Sequence, residues 1–174
     1  MDENQKDIIL EDIMIKHGDE LVRLANHYVN DQETAKDIVQ NTFIKCYEKL
    51  DSFRYESSLK TWLYRITING CKDYLKSWHH RKVQLKQSVQ DAVKTIFPST
   101  EDKYIRESKN RVIRDVVLAL PQHYREVLYL YYYESLKIHE IAGVTEVKES
   151  TVKTRLRRGK VKLKNRLEEV GIDG

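Results

Sequence analysis

The sequence predicts an all-α protein, two small helical domains joined by a flexible linker, and three observations point that way. Apolar residues recur at three- and four-residue steps through most of the 174 residues. Alternation of apolar and polar residues never persists beyond a few positions, which leaves no strand. Only 6 Gly and 2 Pro punctuate the chain, too few for a turn-rich β fold or a glycine loop that cradles phosphate.

The elements follow in order. A first helix is expected from Asp7 to Val29, through Ile8, Ile9, Ile13, Leu21, Leu24, Ala25 and Tyr28. Asn30-Asp31 interrupts it, and a second helix runs through Ala35, Ile38, Val39, Phe43, Cys46, Tyr47 and Leu50. Cys46 falls on the apolar stripe and is expected to be a small buried hydrophobe. Asp51 to Ser58 has no helical period and forms a loop, with Ser57 or Ser58 as the cap of a third helix from about Leu59 to Trp78. Residues 79–105 are polar, weakly periodic and broken by Pro98, so domains 1–79 and 106–174 are expected on either side of a linker, 80–105. Periodicity resumes through Val112, Ile113, Val116, Val117 and Leu120. Pro121 suits the first position of the next helix, which continues to Tyr133 and ends in Tyr129, Tyr131, Tyr132 and Tyr133. Two more helices are expected, about Lys137–Val144 and Glu149–Leu167.

Charge is unevenly spread. The whole chain carries +4, but residues 1–50 carry −5, residues 51–90 carry +5 and residues 106–166 carry +8. Two basic segments separated by a spacer suggest two surfaces for a polyanion, with an acidic surface left for another partner. Other classes find little support. No run approaches the roughly 18 apolar residues of a membrane span, and the opening MDENQKD is unlike a signal peptide, so a cytoplasmic protein without membrane insertion is expected. Cys46 and Cys71 form no zinc pattern, and His17, His27, His79, His80, His123 and His139 show no ligand spacing. Neither metal nor other cofactor is expected. With no carboxylate pair in acid–base company, an enzyme is not expected either.

Two helices concentrate the chemistry. On the third, Leu59, Leu63, Ile66 and Gly70 are expected to form the core stripe, while Trp62, Arg65, Asn69, Lys72 and Lys76 fall within about 80° of one another on a neighbouring side. An aromatic plane, an amide and three cations suit exposed nucleic-acid bases and their phosphates. The preceding loop adds Phe53, Arg54 and Tyr55, able to trap a base taken out of its stack. Trp62 could equally be an aromatic at the rim of the core. On the last helix, Val152, Leu156, Gly159, Leu163 and Leu167 make a packing face, with Gly159 marking close approach. The short helix before it and the connection Thr145–Lys148 give helix-turn-helix spacing, which aims Lys153, Thr154, Arg157 and Arg158 at a major groove. A basic amphipathic helix could instead dock on a membrane surface or on an acidic partner.

In residues 15–79, the run HGDELVRLANHYV, then DQETAKDIVQNTFIKCYEKLDSFR and SSLKTWLYRITINGCKDYL, resembles region 2 of the small, extracytoplasmic-function group of bacterial sigma factors. In residues 108–167, LPQHYREVLYLYYYESLKIHEIA and ESTVKTRLRRGKVKLK resemble region 4. The resemblance implies a sigma factor that binds core RNA polymerase and promoter DNA, both as duplex and as melted strand, with an anti-sigma factor as a further partner. It implies that Asp37, Gln40, Asn41, Phe43 and Ile44 dock on the polymerase clamp, and that Phe53, Arg54, Tyr55 and Glu56 capture a flipped base of the −10 element. Asn69 and its face would stabilise the melted strand, Lys153, Thr154, Arg157 and Arg158 would read the −35 element, and the linker would thread through the polymerase. Regions 1 and 3 of larger sigma factors are expected to have no counterpart here.

The sequence departs from the family pattern at several points. Tyr55-Glu56 stands where a glycine and a small acidic residue are common, Lys137 where a serine caps the scaffold helix, and Glu146 where the turn usually has glycine. Glu149-Ser150 replaces a common Glu-Gly, so the register of the −35 contacts is open by about one position. A stand-alone helix-turn-helix regulator of duplex DNA would explain residues 106–166 but would leave the Trp62 face without a task.

Overall fold

The computed structural model describes residues 2–53, 58–88 and 105–172, with side chains outside 82–88 and 105–110. Every regular element in them is helical: α1 (Glu3–Val29), α2 (Gln32–Lys49), a 3-10 turn (Leu50–Ser52), α3 (Leu59–Ser88), α4 (Ile105–Leu118), α5 (Gln122–Leu128), a π turn (Tyr129–Tyr133), α6 (Ile138–Thr145) and α7 (Glu149–Glu169). They divide between two compact units.

In the first unit, caps set the boundaries. Asp2 accepts from the Gln5 backbone N–H at 2.7 Å and starts α1. Asn30, at φ 52°, turns the chain left-handed and ends it. Asp31 at once caps α2, accepting from the Thr34 N–H at 2.9 Å, so two residues make the whole turn. Ser58 caps α3, accepting from the Thr61 N–H at 3.1 Å; Ser57, the other candidate, lies outside the described residues.

The three helices bury Ile13, Leu21, Leu24 and Tyr28 from α1, Ala35, Ile38, Val39, Phe43 and Cys46 from α2, and Leu63, Tyr64, Ile68 and Cys71 from α3. The core stripe of α3 therefore differs from the expected one. It centres on Leu63, Tyr64, Thr67, Ile68 and Cys71, while Leu59, Ile66 and Gly70 sit at its partly exposed edge. Two threonines explain the shift: Thr67 satisfies its hydroxyl on the Leu63 carbonyl (2.9 Å) and touches Thr42 Oγ1 (3.3 Å), so it enters the core at little cost. Ile8 and Ile15 of α1 are 61 % and 77 % exposed, on azimuths turned from the bundle. Cys46 and Cys71 are free and buried, and desolvation pushes their thiols up to about 11 and about 12.

A polar clamp joins α1 to α3. Glu20 accepts from the Tyr64 hydroxyl and from Lys60 Nζ at 2.9 Å, and Lys60 also lies 5.1 Å from the Tyr64 ring centroid. Burial works to raise the Glu20 pKa, but the bonds from Tyr64 and Lys60 outweigh it and hold the carboxyl below its ordinary value of 4.5.

The helix α3 runs to Ser88, ten residues beyond the expected end at Trp78. His79 and His80 are thus exposed residues of a continuing helix and do not end it. The remainder of the expected linker, 89–104, lies outside the described residues.

In the second unit, Val116 and Leu120 pack with Val127, Leu128, Leu130, Leu136, Ile141, Val152 and Leu156. Pro121 is the N-cap of α5, one position earlier than expected. The expected continuous helix to Tyr133 instead widens into the π turn, which brings the Tyr129 and Tyr133 rings to 4.9 Å. Lys137 offers no side-chain cap to α6, and the Glu140 carboxylate supplies the bond by accepting from the Lys137 N–H at 2.8 Å. Glu146 ends α6 at φ 58°, in the left-handed region that favours glycine.

Two predictions follow from these caps and clamps. A carboxylate whose folded pKa is depressed stabilises the fold above its unfolded value, about 4.5, and loses that contribution as pH falls through the folded pKa. Thermal melts from pH 6 to pH 3 should therefore show wild type losing its advantage over Glu20→Gln as pH falls; an advantage constant with pH would contradict the clamp. Glu146→Gly should raise the urea unfolding free energy of the second unit by about 1 kcal/mol, because the side chain opposes the left-handed backbone.

Candidate nucleic-acid interface

Three surfaces emerge from these helices. On α2, Asp37, Gln40, Asn41 and Ile44 are exposed and fall on one face at steps of three and four, with Ile44 52 % exposed. Phe43 departs from the expected set. It is 8 % exposed and turns toward the core, away from the azimuth of this face. Beside the face, α2 and α3 leave a groove of about 310 Å³ whose lining includes Asp37, Asn41, Lys45, Ile66, Asp73 and Tyr74. The α3 wall of this groove is not legible in the sequence, because Ile66 and Gly70 continue the apolar period of the helix.

The second surface begins at Phe53. Its ring stacks on Trp62 at 4.7 Å and 29°, which joins the end of the 3-10 turn to the first turn of α3. Both side chains are half-buried. Trp62 is therefore neither wholly core nor free-standing. From it, Arg65, Asn69, Lys72 and Lys76 continue along a face whose centre is about 145° from the buried stripe. Lys72 is half-buried and Lys76 exposed. Arg54, Tyr55 and Glu56, the other residues of the expected base-trapping loop, lie outside the described residues.

The third surface belongs to α7. Val152, Leu156 and Gly159 are buried, with Leu163 and Leu167 half-buried, as the packing face requires. Gly159 does mark close approach: a Cβ there would come 3.2 Å from Leu128 Cδ1 and 3.3 Å from Tyr124 Cβ. On the opposite side, Lys153, Arg157 and Arg158 are exposed and Thr154 is half-buried, its hydroxyl donating to the Ser150 carbonyl at 2.9 Å. Two features were missed. Val161, 56 % exposed, continues the outward line and could meet a thymine methyl. His123 and Arg155 join Thr154 and Arg158 around a groove of about 500 Å³, which periodicity on α7 alone cannot reveal because part of its wall, His123 and Tyr124, comes from α5. Lys160 and Lys162 lie 6.0 Å and 5.9 Å from the Tyr132 and Tyr124 ring centroids, so part of the cationic surface is oriented by aromatic neighbours.

Among the described residues, no three His, Cys, Asp or Glu side chains gather to hold a metal ion. No described helix is long and apolar enough to cross a membrane.

The chain matches known families over both units. The family model Sigma-70 region 2 matches residues 13–81, and Sigma-70, region 4 matches residues 110–163. The chain is 30 % identical over 142 residues to RNA polymerase sigma factor SigV of Bacillus subtilis, covering 82 % of this chain and 81 % of that protein. It is 30 % identical over 168 residues to ECF RNA polymerase sigma factor SigW of the same organism, covering 91 % and 89 %. Among solved structures, the sigma factor RpoE in complex with the anti-sigma factor NepR, from Bartonella quintana, has a similar fold. Its TM-score is 0.71 at 23 % identity, over 91 % of this chain and 96 % of that one.

The packing of α7 on α5 gives a prediction with an internal control. Gly159→Val should destabilise the second unit by about 1–3 kcal/mol in urea unfolding, because its branched side chain meets Leu128 and Tyr124. Gly18→Ala, where nothing lies within 4 Å of the new Cβ, should be neutral or stabilising.

Proposed function

The chain belongs to the extracytoplasmic-function group of the sigma-70 family, and from that premise we propose how its surfaces divide the work of promoter-specific transcription initiation. The α2 face of Asp37, Gln40, Asn41 and Ile44 docks on the clamp of core RNA polymerase. An acidic first segment suits that task, since it repels DNA and leaves the face to a protein partner. The α7 residues Lys153, Thr154, Arg157 and Arg158 enter the major groove of the −35 element, Arg reading guanine edges and the other cations holding phosphates. The loop from Phe53 to Glu56 and the face of Trp62, Arg65, Asn69, Lys72 and Lys76 hold the −10 element as it opens.

The mechanism is an exchange of stacking. Separating the −10 duplex costs a few kcal/mol of unstacking and unpairing. The stacked Phe53 and Trp62 offer a hydrophobic platform on which displaced bases regain stacking, at roughly 1–3 kcal/mol per base. Asn69 adds a donor and an acceptor for a base edge, and the lysines fix the backbone. Nothing in this scheme asks the chain for catalysis; bond formation belongs to the polymerase, in the cytoplasm where template and enzyme meet. An anti-sigma factor completes the expected set of partners. The observation that carries the reading is the Phe53–Trp62 stack, which puts a base-sized aromatic surface at the head of a face turned away from the core.

Run-off transcription by the chain with core polymerase on a genomic promoter pool tests the reading and yields the recognised motif. On a promoter so found, Phe53→Ala and Asn69→Ala should each lower open-complex yield, Phe53→Ala by roughly ten-fold or more, given the worth of one base–aromatic stack. Binding to core polymerase should stay unchanged. Normal opening by both variants would refute the −10 assignment. Tight sequence-specific gel shifts by the chain alone would favour a stand-alone regulator.

A further inference from the structure

We propose that Lys6 is a positioning residue of the −10 surface: its ion pair with Asp51 sets the turn that presents the Phe53 ring to Trp62. This deepens the promoter-opening reading above and rests on it. Lys6 stands at an unusual place for a cation. It lies four residues before Leu10 and seven before Ile13, on the azimuth of the buried stripe of α1, where an apolar side chain is the rule. The side chain is drawn inward all the same and is only 17 % exposed. Its Nζ sits 5.6 Å from the Tyr47 ring centroid and ends on the Asp51 carboxylate.

The pair belongs to a small network between the two helices. The Tyr47 hydroxyl donates to the Asp7 carboxylate, so α1 grips the end of α2 with successive residues. The Lys6–Asp51 bond is the largest influence on both partners, raising the pKa of Lys6 and lowering that of Asp51. Lys6 also precedes residues 13–81, the segment that matches Sigma-70 region 2, so the contact reaches the turn from outside the matched pattern.

What the contact steadies is the 3-10 turn Leu50–Ser52. That turn buries Leu50, while Asp51 and Ser52 are exposed. Its own hydrogen bonds are local. The Ser52 hydroxyl donates to the Lys49 carbonyl at 2.8 Å, and the Phe53 N–H reaches the Leu50 carbonyl at 3.3 Å, long for such a bond. Neither bond leaves residues 49–53. Burial of Leu50 fixes where the turn sits, and the Lys6–Asp51 pair, a tether from another helix, fixes its rotation about that anchor. Phe53 follows two residues later, and its ring rests on Trp62 at 4.7 Å and 29°, an orientation that a rotated turn would lose.

Two measurements on the full chain test this, the first without polymerase. In a Trp78→Phe background Trp62 is the remaining tryptophan, and its quenching by acrylamide reports how well Phe53 covers it. Lys6→Met, which removes the charge and keeps an unbranched stem, and Asp51→Asn should each raise the quenching constant. The double variant should match either single one, as a shared interaction requires, and Lys6→Arg, which keeps the cation, should resemble wild type. In the second measurement, with core polymerase on a recognised promoter, Lys6→Met should lower open-complex yield by about two- to five-fold, the range a surface ion pair can supply. It should cost nothing further in a Phe53→Ala chain, and polymerase binding should stay unchanged. Unaltered quenching, additive effects in the double variant, or an equal loss of opening with and without Phe53 would each overturn the proposal. Normal opening by Phe53→Ala itself would instead count against the promoter-opening reading and leave the quenching result standing, so the two failures can be told apart.

Discussion

The crossing of α3 over α1 and α2 is the constraint on which the first unit depends. One helix must bury enough of its surface to hold three helices together while leaving its opposite side turned outward. Gly70 permits the approach to α2, since a Cβ there would lie 3.2 Å from Ile38 Cγ2. The bonded pair Thr42 and Thr67 lines the same crossing, and Glu20 ties α3 to α1 through Tyr64 and Lys60. These contacts fix the rotation of α3 about its own axis. That rotation decides which residues point outward, so the Trp62–Lys76 face exists as a face only because the opposite side is pinned.

The second unit solves the same problem with different means. Its outward helix is seated through Gly159 against Leu128 and Tyr124, and the turn before it is held by a glutamate in a backbone region better suited to glycine. The π turn inserts an extra residue at the end of α5 and leaves Tyr131, Tyr132 and Tyr133 between 40 % and 63 % exposed. Irregularity is concentrated in the elements before α7, while α7 itself is regular from Glu149 to Glu169.

Much of this was legible in the sequence because period and capping residues speak directly to helical geometry. Asn30-Asp31 gave the first turn, Ser58 one of two candidate caps, and Gly159 the close packing. What escaped did so for identifiable reasons. The buried stripe of α3 includes two threonines and a tyrosine, whose polar atoms find partners that hydropathy cannot foresee. Phe43 shares a sequence neighbourhood with exposed residues but not their azimuth. The continuation of α3 to Ser88 carries no apolar stripe to announce it, and the π turn is a shift of hydrogen-bond register that composition does not encode. The wall that His123 contributes to the groove beside α7 needs two helices in space.

The buried thiols carry a consequence of another kind. Oxidants act on thiolates that solvent can reach, and Cys46 and Cys71 offer neither accessibility nor ionisation near neutral pH. Disulfide stress therefore finds no thiol handle on the native chain. A thiol-based signal that governs when this protein meets the polymerase has to be sensed by another molecule and relayed to it as a change in who holds it.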